Sequence, residues 1–472
     1  MRTQGLHPDP VRAVCEPRRR WGFGLTPRAI GLLLVGFLWL LPGFWQSNLS
    51  YLMVAWDGLV LAAAVLDGMR LPKERELTAQ RAWRNAPALD SETEIELTIE
   101  NRSRRAVDCR VVDDLPPALT ATAETLRVRS IPRGPATVGY SIQPMERGDC
   151  EAGWLYVRYR SRLGLVERWA MAPLAQPVRV YPALRQGEEQ QIFLARSRQL
   201  EMQLRRAQQR GLGRDFESLR EYREGDDLRD VCWTATARRG VPIARQYQTE
   251  RSQAVWIVVD CGRLMRARVA AASGANAAQG VAARRRSKLD LACTTAVALA
   301  QLALYSGDRV GLLAYGQGVQ QRVLPGRGAA HQRQMIEALA LARAEASEAD
   351  HLRATAVLNR WQPRRGLILW MTDVAETAMR PEVIEGAMQL MRRHLLLFVA
   401  MAQPEVRQMA DREPRNAEEM FESAAAQQMA GRRELLLARL HEQGALTMDA
   451  HPATLTARVL NQYLSVKERA MV

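Results

Sequence analysis

Two runs, Ala254-Val255-Trp256-Ile257-Val258-Val259-Asp260 and Gly366-Leu367-Ile368-Leu369-Trp370-Met371-Thr372-Asp373, are almost wholly apolar, and each closes on an aspartate. A run without alternation belongs in a strand covered on both faces, the condition of a parallel sheet flanked by helices. The sequence around them alternates accordingly. Helical periodicity covers Leu289–Tyr305, Gln332–Ala344, Leu352–Trp361, Glu382–Arg393, Arg432–Gln443 and Thr454–Ala470. Further strands fall at Val310–Tyr315, Leu395–Met401 and near Leu446-Thr447-Met448, with Val319–Leu324 as an antiparallel edge. Residues 252–472 therefore read as a doubly wound α/β domain. Asp260 and Asp373 stand at carboxyl ends of strands, where open α/β sheets hold ligands. Between the Asp260 strand and its helix, Ala267–Lys288 is rich in Ala and Gly with a basic end, and reads as a solvated insertion. Pro404–Gly431 reads as a surface helix plus loop.

Near the start of the chain, Ala29–Trp45 and Leu49–Leu66 are apolar stretches near the ~20 residues that span a bilayer core. Gln46-Ser47-Asn48 separates them, and Asp57 is the one acid in the second. We expect a transmembrane helical hairpin over 29–70 after a leader, 1–28. A cleaved signal peptide fits poorly, because the leader is long and arginine-containing and no small-residue cleavage site follows. Arg18, Arg19, Arg20 and Arg28 precede the first run and Arg70, Lys73 and Arg75 follow the second, while the turn carries no basic residue. This pattern places both ends and everything after Arg70 on the cytoplasmic side of a plasma membrane.

Residues 76–184 change character. Thr93–Ile99 alternates polar and apolar, and short β-rich runs recur at Cys109–Val112, Leu126–Arg129, Thr137–Ile142, Trp154–Tyr159 and Val178–Tyr181, with turn signals between. Such spacing predicts an immunoglobulin- or fibronectin-like β-sandwich. The triplet Arg147-Gly148-Asp149 reads as part of a turn. Residues 185–251 read as a helical linker feeding a charge-rich segment.

That segment, Tyr222–Arg238, reads Y-R-E-G-D-D-L-R-D-V-C-W-T-A-T-A-R. Gly225 suits a turn, and Asp226 or Asp227 suits a helix N-cap. Leu228, Val231, Cys232 and Ala235 then form one stripe at helical spacing, and Arg229 and Trp233 stand four apart, close enough to stack. Gly240-Val241-Pro242 ends the helix. The segment resembles the signature of the domain of unknown function 58 family. That resemblance implies two N-terminal membrane helices, a β-domain and a von Willebrand factor A-like domain, which agrees with the order read above. It also implies a partnership with a MoxR-type AAA+ ATPase. Tyr222, Gly225, Asp226, Asp227, Arg229, Trp233 and Arg238 either dock the segment onto the A-like domain or meet a partner.

The resemblance raises a metal question. A-like domains hold Mg²⁺ with an Asp-x-Ser-x-Ser loop, a later Thr and a second Asp, all hard oxygen donors. Here the loop is Asp260-Cys261-Gly262-Arg263-Leu264. Asp260 and Asp373 match, but Gly262 and Leu264 replace the serines, and Asp350 or Thr355 is the nearest counterpart of the Thr. The site reads as degenerate. The formal net charge of +15 suits an anionic leaflet or an acidic protein, and the bases are spread rather than gathered into a nucleic-acid arm, so no nucleic acid is expected. Six scattered cysteines without a C-x-x-C pair fit a reducing compartment. No His stands at metal-ligand spacing with another His or Cys. We therefore expect a non-enzymatic, membrane-anchored interaction or assembly factor. The alternatives are a metal-dependent receptor using Asp260 and Asp373, and a hydrolase using those acids with Asp226 and Asp227.

Overall fold

The computed structural model describes residues 7–18, 23–39, 50–123, 125–161, 163–183, 195, 215–222, 231–248, 253–270, 285–374 and 381–469. The chain divides into two compact units, Met1–Ala183 and Leu184–Val472.

In the first unit, strands β1 (Val11–Val14), β2 (Glu16–Pro17) and β3 (Phe23–Leu25) precede helix α1 (Pro27–Gly36), and α2 (Ser50–Arg70) leads into β4 (Leu77–Trp83). Nine strands follow: β5 (Thr93–Asn101), β6 (Val107–Asp113), β7 (Leu119–Ala121), β8 (Leu126–Ser130), β9 (Gly134–Pro144), β10 (Gly148–Ala152), β11 (Leu155–Arg160), β12 (Val166–Ala172) and β13 (Gln176–Val180). One sheet runs β1-β4-β5-β9-β7 and the other β2-β12-β11-β6-β8, with β3 also on β12 and β10 paired to β13. Along β5 every second residue is buried. Ile95, Leu97 and Ile99 share one core with Cys109, Val111, Leu155 and Val157 of the other sheet. Arg81 is fully buried in that core. It reaches the Asp113 carboxylate, the Leu174 carbonyl (2.8 Å) and the Gly153 carbonyl (3.0 Å), while Tyr140 donates to Asp113 at 2.5 Å. Burial pushes the Cys15 and Cys109 thiols up to about 12, so they behave as small hydrophobes.

Described parts of the segment read as a leader are built into these sheets: Val11–Val14 pairs antiparallel with Thr78–Arg81, and Phe23–Leu25 pairs with Val166–Arg168. Strands of two to four residues between prolines carry too little alternation to be seen in sequence. Thr26 caps α1, accepting from the Ala29 amide at 3.4 Å, with Pro27 in the first turn. The first apolar run continues as a 3-10 turn, Phe37–Trp39, and its remainder lies outside the described residues. Among the described residues, one helix is long and apolar enough to cross a membrane, Tyr51–Arg70, with mean hydropathy 1.7. It packs on α1, where Trp56 Nε1 donates to the Leu32 carbonyl at 2.9 Å. Gly36 faces the Asp57 carboxylate so closely that a Cβ would collide with it. Small residues permit this approach between apolar helices.

The second unit includes an antiparallel pair, β14 (Asp215–Glu221) and β15 (Ile243–Gln248), with α3 (Trp233–Arg239) between them in sequence. The main body contains β16 (Ala254–Asp260), β17 (Arg268–Ala270), β18 (Arg285–Ser287), α4 (Lys288–Tyr305), β19 (Arg309–Tyr315), β20 (Val319–Gly326), α5 (Gly328–Leu341), α6 (His351–Trp361), β21 (Leu367–Thr372), α7 (Pro381–Met391), β22 (Leu395–Met401), α8 (Pro404–Ala410), α9 (Ala417–Glu442), β23 (Leu446–Ala450) and α10 (Leu455–Glu468). Its six-stranded sheet has the order β20-β19-β16-β21-β22-β23, parallel except for the edge strand β20. Trp256, Val258, Trp370 and Phe398 pack on Leu358, Val383, Leu436 and Leu440 from α6, α7 and α9. The opposite residues of β16, Val255, Ile257 and Val259, are equally buried, and α4 packs on that strand between α5 and α10. Cover on both faces is why these strands are apolar throughout.

Within the main body, two readings change. Residues 417–442 form one helix rather than a loop followed by a helix, because Asn416 caps its start (2.8 Å from the Glu419 amide) and the Ala-, Glu- and Gln-rich stretch tolerates Gly431. The ends of the insertion after β16 pair as β17 and β18, and Arg286 is buried rather than solvated. The middle of that insertion lies outside the described residues.

Candidate functional site

The carboxyl edge of the sheet gathers the two aspartates singled out in sequence. Asp373 follows β21 and is buried. Its Oδ2 accepts from Lys288 Nζ and from Gln403 Nε2 (2.9 Å), and its Oδ1 accepts from Arg433 at 3.0 Å. Lys288 is the first residue of α4, after the Ser287 cap, and its side chain is fully buried. Burial pushes its ammonium below the ordinary lysine value, and Asp373 works in the opposite direction. Arg433 reaches in from α9 and also holds Asp449 of β23 through Nε (3.2 Å) and a terminal nitrogen (2.7 Å). Asp260, at the end of β16, accepts from the Gly262 amide and the Thr372 hydroxyl, both at 2.6 Å. Beside this network opens a cavity of about 450 Å³, with Gln403, Arg407, Asp449, His451 and Arg458 in its lining.

These residues do not fit a divalent cation. Magnesium asks for several hard oxygen donors around one point. Both Asp373 oxygens already accept from nitrogen, two of those donors cationic. A Cβ at Gly262 would stand 2.8 Å from the Ala349 amide nitrogen, so the backbone fills the space of a serine. Among the described residues, no group of three His, Cys, Asp or Glu side chains is placed to hold a metal. The arrangement is a closed network of charge-assisted hydrogen bonds, strong where every member is satisfied. Lys288, Thr372, Gln403, Arg433 and Asp449 carry it and were not singled out in sequence. The Ser287 cap was the one visible hint that Lys288 enters a helix at this edge.

Asp260 gives the network a pH dependence. Burial raises its carboxyl to about 6; Thr372 and Gly262 oppose the rise, and Asp373 and Glu345 add to it. The unfolded carboxyl titrates near 3.8, so the folded state keeps its proton to higher pH. Its contribution to stability is fully present below about pH 4 and is lost as pH rises through about 6. An amide at this position can accept from Gly262 and donate to Thr372 without ionising. Chemical denaturation from pH 4 to 7 is therefore expected to show wild type losing about 2–3 kcal/mol relative to Asp260→Asn. Parallel pH profiles would exclude Asp260 as the source.

The signature segment forms the connection between β14 and β15. Gly225, Asp226, Asp227, Leu228 and Arg229 lie outside the described residues, so the proposed cap and the Arg229–Trp233 stack do too. The Tyr222 amide donates to the Pro242 carbonyl at 2.9 Å. Val231 is not helical: it bridges to Ala244, and the Cys232 amide donates to the Ile243 carbonyl at 2.8 Å. A β-branched valine beside a strand gains more from burial against Ile243 and Ala244 than from another helical turn. α3 starts at Trp233 and stops at Gly240, whose φ of 71° suits glycine. The Ile243 amide donates to Thr236 Oγ1 at 3.0 Å, which ties the helix to β15. Trp233 is 70% exposed, and Arg238 is exposed on the same short helix.

Over residues 218–412 the chain matches the family described as Protein of unknown function DUF58. Uncharacterized proteins of Mycobacterium bovis and Mycobacterium tuberculosis are 30% identical to it over 186 residues, 37% of this chain and 54% of theirs. The chain thus spans about half the length of the curated relatives it matches. Among solved structures, a protein of unknown function from Porphyromonas gingivalis shares 18% identity over 23% of this chain and 50% of that one, with a TM-score of 0.17. The CARDB domain of a Pyrococcus furiosus protein, in complex with di-metal ions, shares 12% over 21% and 83%, with a TM-score of 0.14. At such scores the likeness assigns neither fold nor function.

Proposed function

We propose that this chain is a membrane-anchored interaction factor whose signature helix α3 presents Trp233 to a protein partner, a MoxR-type AAA+ ATPase. The exposed Trp233 carries the reading. A large aromatic ring left in water on an otherwise ordered helix is the residue type that dominates interface energies. The carboxyl edge, where ligands of such sheets bind, is meanwhile filled by Lys288, Arg433 and Gln403. We read the body as a von Willebrand factor A-type domain whose cation site is replaced by these side chains.

The anchoring is read from chain topology. β3 ends at Leu25 and β4 begins at Leu77, and both pair within one β-unit. The chain between them must leave and return to the same side. Helix α2, at 21 residues and 1.5 Å per residue, is about 31 Å long, the depth of a hydrocarbon core. One full crossing there calls for a return, which supports a two-pass anchor, and the bases flanking the two apolar runs favour the cytoplasmic side for the soluble parts and both ends.

The test is affinity capture of the full chain from detergent-solubilised native membranes, with and without ATP, read by mass spectrometry. An AAA+ ATPase is expected in the capture, reduced at least about tenfold by Trp233→Ala, as befits loss of a central aromatic anchor. In sealed vesicles, tags on the two termini are expected on the same face. Capture without an ATPase, or equal capture by Trp233→Ala, would remove this function.

A further inference from the structure

At the foot of α2, a cavity of about 540 Å³ lies between the last helical turn and the β-unit. Arg70, Arg105 and Arg129 line it, together with Asp67, Leu71 and Leu163. We propose that this cavity binds the headgroup of an anionic phospholipid, a proposal that rests on the reading of α2 as a membrane crossing.

The charge balance comes first. Asp67 is the acid in the lining, and its carboxylate is committed inward. Oδ1 accepts from the Ser161 hydroxyl at 2.5 Å, and Oδ2 accepts from the Leu165 and Val166 amides at 3.1 and 3.3 Å. Arg105 spends one nitrogen on the Arg70 carbonyl (2.5 Å), closing the end of α2. None of the three guanidiniums pairs with a carboxylate among the described residues. All three side chains are exposed. A fourth base, Arg28, lies close by: a Cβ on Gly164 would stand 3.5 Å from its guanidinium. Guanidinium forks match the paired oxygens of a phosphodiester.

Position selects the lipid as the source of that phosphate. The outer face of α2 is apolar down to its last turn, with Leu59, Val65, Leu66 and Met69 exposed, and Arg70 follows directly. Ala64 packs in the core of the β-unit and Arg70 closes the helix, which puts Arg70 where the crossing meets the β-unit. Leu163 (58% exposed) and Ile131 (55%), the neighbour of the lining residue Pro132, stand beside the cations. Apolar tips next to arginines suit the boundary between acyl chains and headgroups. Anionic lipid attracts each such base by an amount equivalent to roughly fivefold in affinity.

The experiment uses the full chain in detergent, with short-chain phosphatidylglycerol and phosphatidylcholine as competing probes and bound lipid counted by native mass spectrometry. Wild type is expected to retain phosphatidylglycerol at least about tenfold over phosphatidylcholine. Arg129→Gln, on an exposed strand position that leaves the fold intact, is expected to lower phosphatidylglycerol retention about fivefold. The variant carrying Arg70→Gln, Arg105→Gln and Arg129→Gln is expected to lose the preference. Equal retention of the two lipids by wild type, or an unchanged preference in the triple variant, would overturn the site. Displacement of phosphatidylglycerol by millimolar inorganic phosphate would assign the cavity to a free anion instead. Release of wild type from membranes by alkaline carbonate would overturn the anchoring beneath the proposal, whereas loss of lipid preference in a carbonate-resistant chain would overturn the lipid site alone.

Discussion

Lys288→Met is expected to destabilise the second unit by about 3–5 kcal/mol, the usual cost of removing one member of a buried ion pair. The lysine side chain is fully buried and its Nζ meets a fully buried Asp373. Methionine keeps most of the stem volume, so the loss reports charge rather than a cavity. What remains among the described residues is a network with one negative charge too many, in which Asp373 and Asp449 share Arg433. Asp373→Asn in the same background restores neutrality, because Arg433 keeps Asp449. The double variant is therefore expected to recover more than half of the loss, and guanidinium denaturation of the full chain in detergent measures both. Magnesium is expected to leave the wild-type midpoint unmoved. A wild type that gains stability with magnesium would mean that a cation displaces Lys288, and a double variant as weak as the single one would mean that Lys288 acts through packing.

The same residues show what was legible in the sequence. The strands ending in Asp260 and Asp373 could be read because cover on both faces demands unbroken apolar runs, which local composition records. Their partners could not. Lys288 and Asp373 are 85 residues apart, and Arg433 and Asp373 are 60 apart. No periodicity links such pairs, and the stretch ending in Arg284-Arg285-Arg286-Ser287-Lys288 resembles any solvated basic loop until β18 and the Ser287 cap turn it inward. The short β1–β3 strands went unread for a different reason: their pairing is decided by β4 and β12, far along the chain. In the signature, local rules found the stop at Gly240 but placed Val231 and Cys232 in the helix, because a stripe at helical spacing and a segment that bridges to a neighbouring strand look alike over so few residues.

Asp67→Ala is expected to loosen the join between α2 and the β-unit by about 3–5 kcal/mol. The residue is 1% exposed and sits one turn before the end of the helix. It collects three donors, the Ser161 hydroxyl and the Leu165 and Val166 amides, and two of those are backbone groups with fixed positions at the start of β12. Alanine leaves these donors facing a void, and each buried donor without an acceptor costs about 1–3 kcal/mol. Asn keeps an oxygen for part of the set, so Asp67→Asn is expected to lose roughly half as much. Differential scanning calorimetry of the full chain in detergent reads both, and limited proteolysis near Ser161–Leu165 reads where the loss falls. A helix held to the β-unit only by its covalent link would let both variants melt like wild type. If Asp67→Ala instead lowers the midpoint while Asp67→Asn recovers half of it, the helix is fastened to the β-unit through this carboxylate.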